Sequence, residues 1–132
     1  MDKDKLIEMF NGALQLEYSG VFLYPREAKI IKDKKIAEVF ERFGQMEIRH
    51  ADMLSLKILE LKGKPVWEFE ILEDLSDLKE ILKRHLNWEE QAINLYQTII
   101  EQVDEPDTKI MLRGIRAEEE THRDKLKEFL SS

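Results

Sequence analysis

Shifted by 72 residues, this chain falls on itself at its least interchangeable positions. Glu17 lands on Glu89, Tyr24 on Tyr96, Glu47 on Glu119, His50 on His122 and Asp52 on Asp124. Apolar positions follow, with Leu6 on Leu78, Phe10 on Leu82, Phe40 on Leu112, Phe43 on Ile115 and Leu54 on Leu126. Agreement among Glu, His and Tyr is harder to reach by chance than agreement among leucines, so the chain reads as two copies of one supersecondary unit. Any fold it adopts must accept a pseudo-two-fold relation between its halves.

That unit is a helical hairpin. Leu6, Phe10, Ala13, Glu17, Gly20 and Tyr24 recur at alternating four- and three-residue steps, which keeps them on one helix face. The same rhythm runs through Ile36, Phe40, Phe43, Glu47, His50, Leu54 and Ile58, and again through Leu82, His85, Glu89, Ala92, Tyr96 and Ile99. A fourth stripe carries Thr108, Leu112, Ile115, Glu119, His122, Leu126 and Phe129. Asp33 is a natural N-cap, Gly63–Lys64–Pro65 a breaker, and Pro106 suits a first helical turn. The expected helices are about 4–32, 34–62, 76–103 and 106–130, each roughly 40 Å long at 1.5 Å per residue. Pro25 is the local conflict; the expectation is one continuous helix with a bend there, the alternative a break with Pro25 restarting a short helix.

The first two helices and the last two are joined by short turns, so each pair forms an antiparallel hairpin. The middle connection, residues 63–75, is about thirteen residues and can span about 43 Å when stretched. It is long enough to cross the bundle and leave the second and third helices parallel, with Val66, Trp67, Phe69, Ile71 and Leu72 lying along the surface. The expectation is an all-α four-helix bundle in a single domain over 1–132. Scarce Gly and Pro, five and three respectively, exclude a turn-rich β architecture. The absence of Cys excludes disulfides, thiolate zinc and cysteine-held iron–sulfur sites. A formal charge of -7 argues against nucleic acid as a partner, no apolar run is long enough for a membrane span, and the start MDKDKLIEMF lacks a secretory core, so the expected location is cytoplasmic.

The apolar stripes are interrupted at mid-helix by Glu17, Glu47, Glu89 and Glu119, with His50 and His122 one turn beyond the second and fourth. Mid-helix positions meet at one height whichever way the helices run, so four carboxylates and two imidazoles converge at the bundle centre. Four buried carboxylates cannot all stay ionised without compensation, and no Lys or Arg lies on these seams. Two divalent cations would balance four negative charges, each with one imidazole nitrogen. An oxygen-rich set of this kind suits iron or manganese, and zinc can also occupy it. Glu118, four residues before His122, is a rival to Glu119. His85 is either a hydrogen-bonded core histidine or a ligand. Asp52 and Asp124 are surface charges or carboxylates that orient the ligand histidines. Gly20 and Ala92 coincide under the repeat and are small enough to leave room for a ligand such as dioxygen or peroxide.

In the segments LEYSGVFLY, MEIRHADML, NWEEQAINLY and EEETHRDKL the chain resembles the ferritin-like superfamily, and within it the di-iron domain of rubrerythrins and bacterioferritins. The resemblance spans nearly the whole chain. It implies two iron ions, with Glu17 and Glu89 as terminal ligands, Glu47 and Glu119 as bridges, and His50 and His122 as one nitrogen ligand each. Tyr24 and Tyr96 would be hydrogen-bond donors to the ligands, with His85 also outside the ligand set. It further implies reaction with dioxygen or hydrogen peroxide, of peroxidase or ferroxidase type, and a homodimer. Rubrerythrins carry a further Glu where this chain has Ala92, and nothing here supplies their Cys-rich rubredoxin module. A separate electron donor protein is therefore expected, and a non-catalytic iron buffer is the alternative. Without a fifth helix, a ferritin-type storage shell is not expected.

Overall fold

A computed structural model describes residues 2–69 and 73–132. Four helices account for most of them: α1 Lys3–Ala28, α2 Lys34–Glu60, α3 Leu78–Gln102 and α4 Pro106–Ser131. Each start is capped by an acidic side chain. Asp2 accepts from the Asp4 amide, Asp33 from Lys35 and Ile36, Asp77 from Glu80, and Glu105 from Thr108. Such caps satisfy amides that have no intrahelical partner. α1 ends four residues earlier than its periodicity predicts, because reversal into the antiparallel α2 consumes residues 29–33 as a turn closed by bonds from Ile30 and Ile31 to the Glu27 carbonyl. α3 likewise starts two residues later, after the Asp77 cap.

Pro25 does not break α1, which runs through it to Ala28. Gly44 on α2 makes room: a Cβ there would stand 2.8 Å from the Pro25 Cγ. At the end of α2 the left-handed residue is Lys62, with φ 65°, and not Gly63. The Gly63 amide closes the helix end on the Ile58 carbonyl at 2.8 Å. Gly63 is small for a different reason, since a Cβ would lie 2.8 Å from Ile7.

The N-terminal end of α1 and the C-terminal ends of α2 and α3 meet around one surface cavity with the start of α4. Hence α1 and α3 are antiparallel, α2 and α3 run parallel, and the chain between them crosses the bundle lengthwise. This crossover follows α1: Asn11 brackets it at Lys64 and Val66, Tyr18 meets Trp67 and Phe69, and Arg26 forms a bidentate pair with Asp74 at 2.8 Å. Trp67 stays half exposed, while Phe69 stacks on Phe22. Ile71 and Leu72 lie outside the described residues. Among the described residues there is no strand, and no helix is long and apolar enough to cross a membrane.

Two apolar plugs fill the bundle. One holds Phe10, Leu14, Leu54, Ile58, Ile99 and Leu112; the other holds Phe40, Phe43, Ile81, Leu82 and Leu126. The interrupted middle of every stripe lies between them. Full burial of each such side chain contributes about 1.5–3 kcal/mol, so the plugs hold polar groups at the waist that would not bury by themselves.

Candidate metal centre

Glu17, Glu47, His50, Glu89, Glu119 and His122 are all buried, none more than 4% exposed. They form two overlapping quartets. Glu17, Glu47, His50 and Glu119 make one, and Glu47, Glu89, Glu119 and His122 the other, with the ligand atoms of each within 4.8 Å of one another. The two shared members, Glu47 and Glu119, come from the two helices that also carry the histidines. Each quartet therefore draws on three helices, which is why no single segment of sequence defines it.

The imidazoles face inward through Nδ1. His50 Nδ1 lies 3.2 Å from Glu17 Oε2, and His122 Nδ1 lies 3.0 Å from Glu89 Oε2. His122 Nδ1 is also 3.0 Å from Glu47 Oε1 and 3.3 Å from Glu119 Oε1. The ring geometry directs its hydrogen bond to Glu89, and both of those oxygens remain buried without a hydrogen-bond partner. Tyr24 on α1 donates to Glu89 on α3 at 2.7 Å, while Tyr96 on α3 donates to Glu17 on α1 at 2.7 Å. The tyrosines thus brace the quartets crosswise under the repeat. Burial first, then the charge of Glu89 or Glu17, holds each phenol well above its usual range, so both remain proton donors.

Charge at the waist is frustrated without a cation. Burial, followed by the charge of Glu17, pushes Glu47 and Glu119 well above the usual carboxylate range. Burial would also raise Glu17, but the neighbouring Glu47 carboxyl and the His50 ring outweigh it and hold Glu17 at about 2. Burial disfavours the charged His50 ring, and Glu17 and Glu118 overcome this to raise it. Burial and mutual repulsion thus favour the neutral forms of Glu47 and Glu119, and nearby cations would favour the charged ones. Glu47 and Glu119, the members common to both quartets, each keep a buried oxygen without a hydrogen-bond partner, so the residues fit a two-ion occupant that these two carboxylates would share.

Three neighbours were less legible. Glu118, the rival ligand, is a third exposed and turned outward; its Oε1 meets His50 Nε2 at 2.8 Å and its Oε2 meets Arg49 at 3.1 Å. It fills the orienting role considered for Asp52 and Asp124, which are exposed surface charges. His85 is buried but outside both quartets. It bonds Glu27 through Nε2 and stacks on Tyr24 with centroids 3.9 Å apart. Glu27, buried and also paired with Arg84 at 3.0 Å, has no counterpart under the repeat, where Ile99 stands, and only that substitution for an apolar residue could have flagged it. A small crevice reaches the centre past Gly20, Tyr24, His85, Glu89 and Ala92. A Cβ on Gly20 would stand 2.9 Å from Glu47 Cγ, so Gly20 lets that carboxylate into the centre.

A four-helix bundle with a waist of four Glu and two His able to hold metal is a carboxylate-type metal-binding bundle. More particularly, the chain belongs to the ferritin-like domain family, which it matches over residues 5–132. It is similar to a solved structure described as a ferritin-like, diiron-carboxylate protein from Bacillus anthracis str. Ames. The two share 26% identity and a TM-score of 0.92, over 98% of this chain and 99% of the other. No curated protein matches the chain.

Proposed function

We propose that this protein holds two iron ions, or two manganese ions, and reacts with dioxygen or hydrogen peroxide in oxidative-stress defence or iron handling. The observation that carries the reading is the pair of buried, unpartnered oxygens on Glu47 and Glu119, the two residues common to both quartets. Glu17 and His50 would complete one ion's set, and Glu89 and His122 the other's. Bound as a ferrous pair, the metals would supply two electrons, which with two protons convert hydrogen peroxide to two waters. The chain's own contribution is to bind, orient and exclude water. Tyr24 and Tyr96 hold the terminal carboxylates by hydrogen bonds to one oxygen each, and the apolar plugs keep bulk water from either end. Gly20 and Ala92 line the narrow crevice that reaches Glu47, Glu89 and Glu119, the side from which a small ligand would approach. Electrons would return through a separate donor protein.

Elemental analysis tests the metal part. Purified protein is expected to contain close to two ions per chain, and Glu47→Ala or Glu119→Ala to lose them. Wild-type protein that takes up no iron, manganese or zinc refutes the reading. A second reading, an iron-buffering module without turnover, is favoured by Ala92 at the place of the further rubrerythrin Glu. Stopped-flow oxidation of the ferrous protein separates the two: rapid stoichiometric reaction with peroxide supports the enzyme, and slow air oxidation alone supports the buffer.

A further inference from the structure

The pseudo-two-fold relation is broken at the outer nitrogens of the two central histidines. Position 46 maps onto position 118, yet one is Met and the other Glu. Each lies against the outer nitrogen of the other half's histidine. His50 Nε2 meets Glu118 Oε1 at 2.8 Å, and Arg49 clamps the second oxygen of that carboxylate at 3.1 Å. His122 Nε2 meets only the Met46 sulfur, at 3.3 Å. Arg49 in turn maps onto Thr121, so the clamp also exists on one side alone.

A carboxylate accepting from the outer N–H fixes the ring and makes the inner nitrogen a better donor, whereas a thioether is a weak acceptor that does neither well. The crevice adds a second, independent asymmetry. It is lined by the shared Glu47 and Glu119 and, of the residues that distinguish the quartets, by Glu89 alone: Glu17, His50 and His122 lie off it.

We infer that the two metal positions are unequal by construction: the Glu17–His50 position, backed by Glu118, is the tight resident site, and the Glu89–His122 position, backed by Met46 and open to the crevice, is the weaker, exchangeable one that meets an incoming small ligand. Glu118 and Met46 act as positioning residues, through the histidines and not by touching the metal. This inference rests on the two-ion reading above.

Cobalt(II) added to the metal-free protein is the probe. One equivalent per chain, located by anomalous diffraction, is expected at Glu17–His50, and a full titration is expected to show two steps. Glu118→Met should weaken the tight step roughly 10–100-fold, the range for lost outer partners of metal ligands. Met46→Glu should strengthen the weak step and leave the tight one in place. In the double swap the first equivalent should move to Glu89–His122. Two equal steps in the wild type, a first equivalent divided evenly or placed at His122, or a Met46→Glu variant that folds by circular dichroism with its weak step unmoved, overturns the inference while leaving a two-ion centre standing. No cobalt uptake at all overturns the two-ion reading itself, and this inference with it.

Discussion

Gly20 and Glu47 illustrate how closely the centre is built at the level of single atoms. Helical Gly costs up to about 1 kcal/mol relative to Ala, yet a methyl group at position 20 would press on the middle of the Glu47 side chain at 2.9 Å. Gly20→Ala is therefore expected to leave the metal-free melting temperature unchanged or raised while weakening metal uptake; calorimetry of both states checks it. Glu27 is a different case. Its carboxylate serves His85 and Arg84 in a buried setting where the other half has Ile99, Ala13 and Gly12. Truncation in Glu27→Ala leaves the buried His85 ring and the part-buried Arg84 without their acceptor and is expected to cost about 1–3 kcal/mol. Glu27→Ile with His85→Ala, which copies the apolar solution of the opposite half, should recover most of that loss in urea unfolding.

The helices were legible from periodicity because each stripe must bury a face of constant width, and four-three spacing is the one-dimensional trace of that requirement. Their ends were less so. α1 stops at Ala28 because of its neighbour's direction, and Pro25 is tolerated because of Gly44 on α2. Both causes lie on another element. Gly44→Ala would place a Cβ 2.8 Å from the proline ring, which cannot swing aside as a flexible side chain would. A net destabilisation of about 1–3 kcal/mol is expected from such overpacking, readable as a lower midpoint in chemical denaturation. Were the helix–helix contact loose there, the better helix propensity of Ala would raise the midpoint instead.

For the molecule as a whole, the centre sets how stability depends on pH. Glu47 and Glu119 are held in the folded protein well above the ordinary carboxyl value of 4.5, so their stabilising effect is full below that value and lost as pH rises through the raised one. His50, raised above 6.5, acts in the same direction. Glu17, lowered to about 2, acts oppositely, its contribution being lost as pH falls from 4.5 toward 2. The metal-free protein is thus expected to lose thermal stability as pH rises from about 5. Metal uptake should strengthen over the same range, because cations displace the protons held on Glu47 and Glu119. Melting curves with chelator and with metal across that range should diverge as pH rises; parallel curves would contradict this account. The half-exposed Trp67 and Phe22 leave apolar surface along the crossover, and the oligomeric state in solution tests the expected homodimer.

Sequence by itself determined the bundle, its two related hairpins and the identity of six polar residues at mid-stripe, because periodicity, repeat offset and residue chemistry are all properties of one dimension. It also showed that Glu118 competed with Glu119, but not which faced inward. That choice, the outward role of Glu118 on His50, the sulfur of Met46 on His122 and the buried Glu27–His85 pair were decided only when α1 met α3 and α2 met α4. The physical reason is that these are contacts between residues 58 to 76 positions apart, whose energies depend on rotation of packed helices by a fraction of a turn. A linear pattern can specify which face is buried, but the hydrogen-bond partners on that face belong to the assembled bundle.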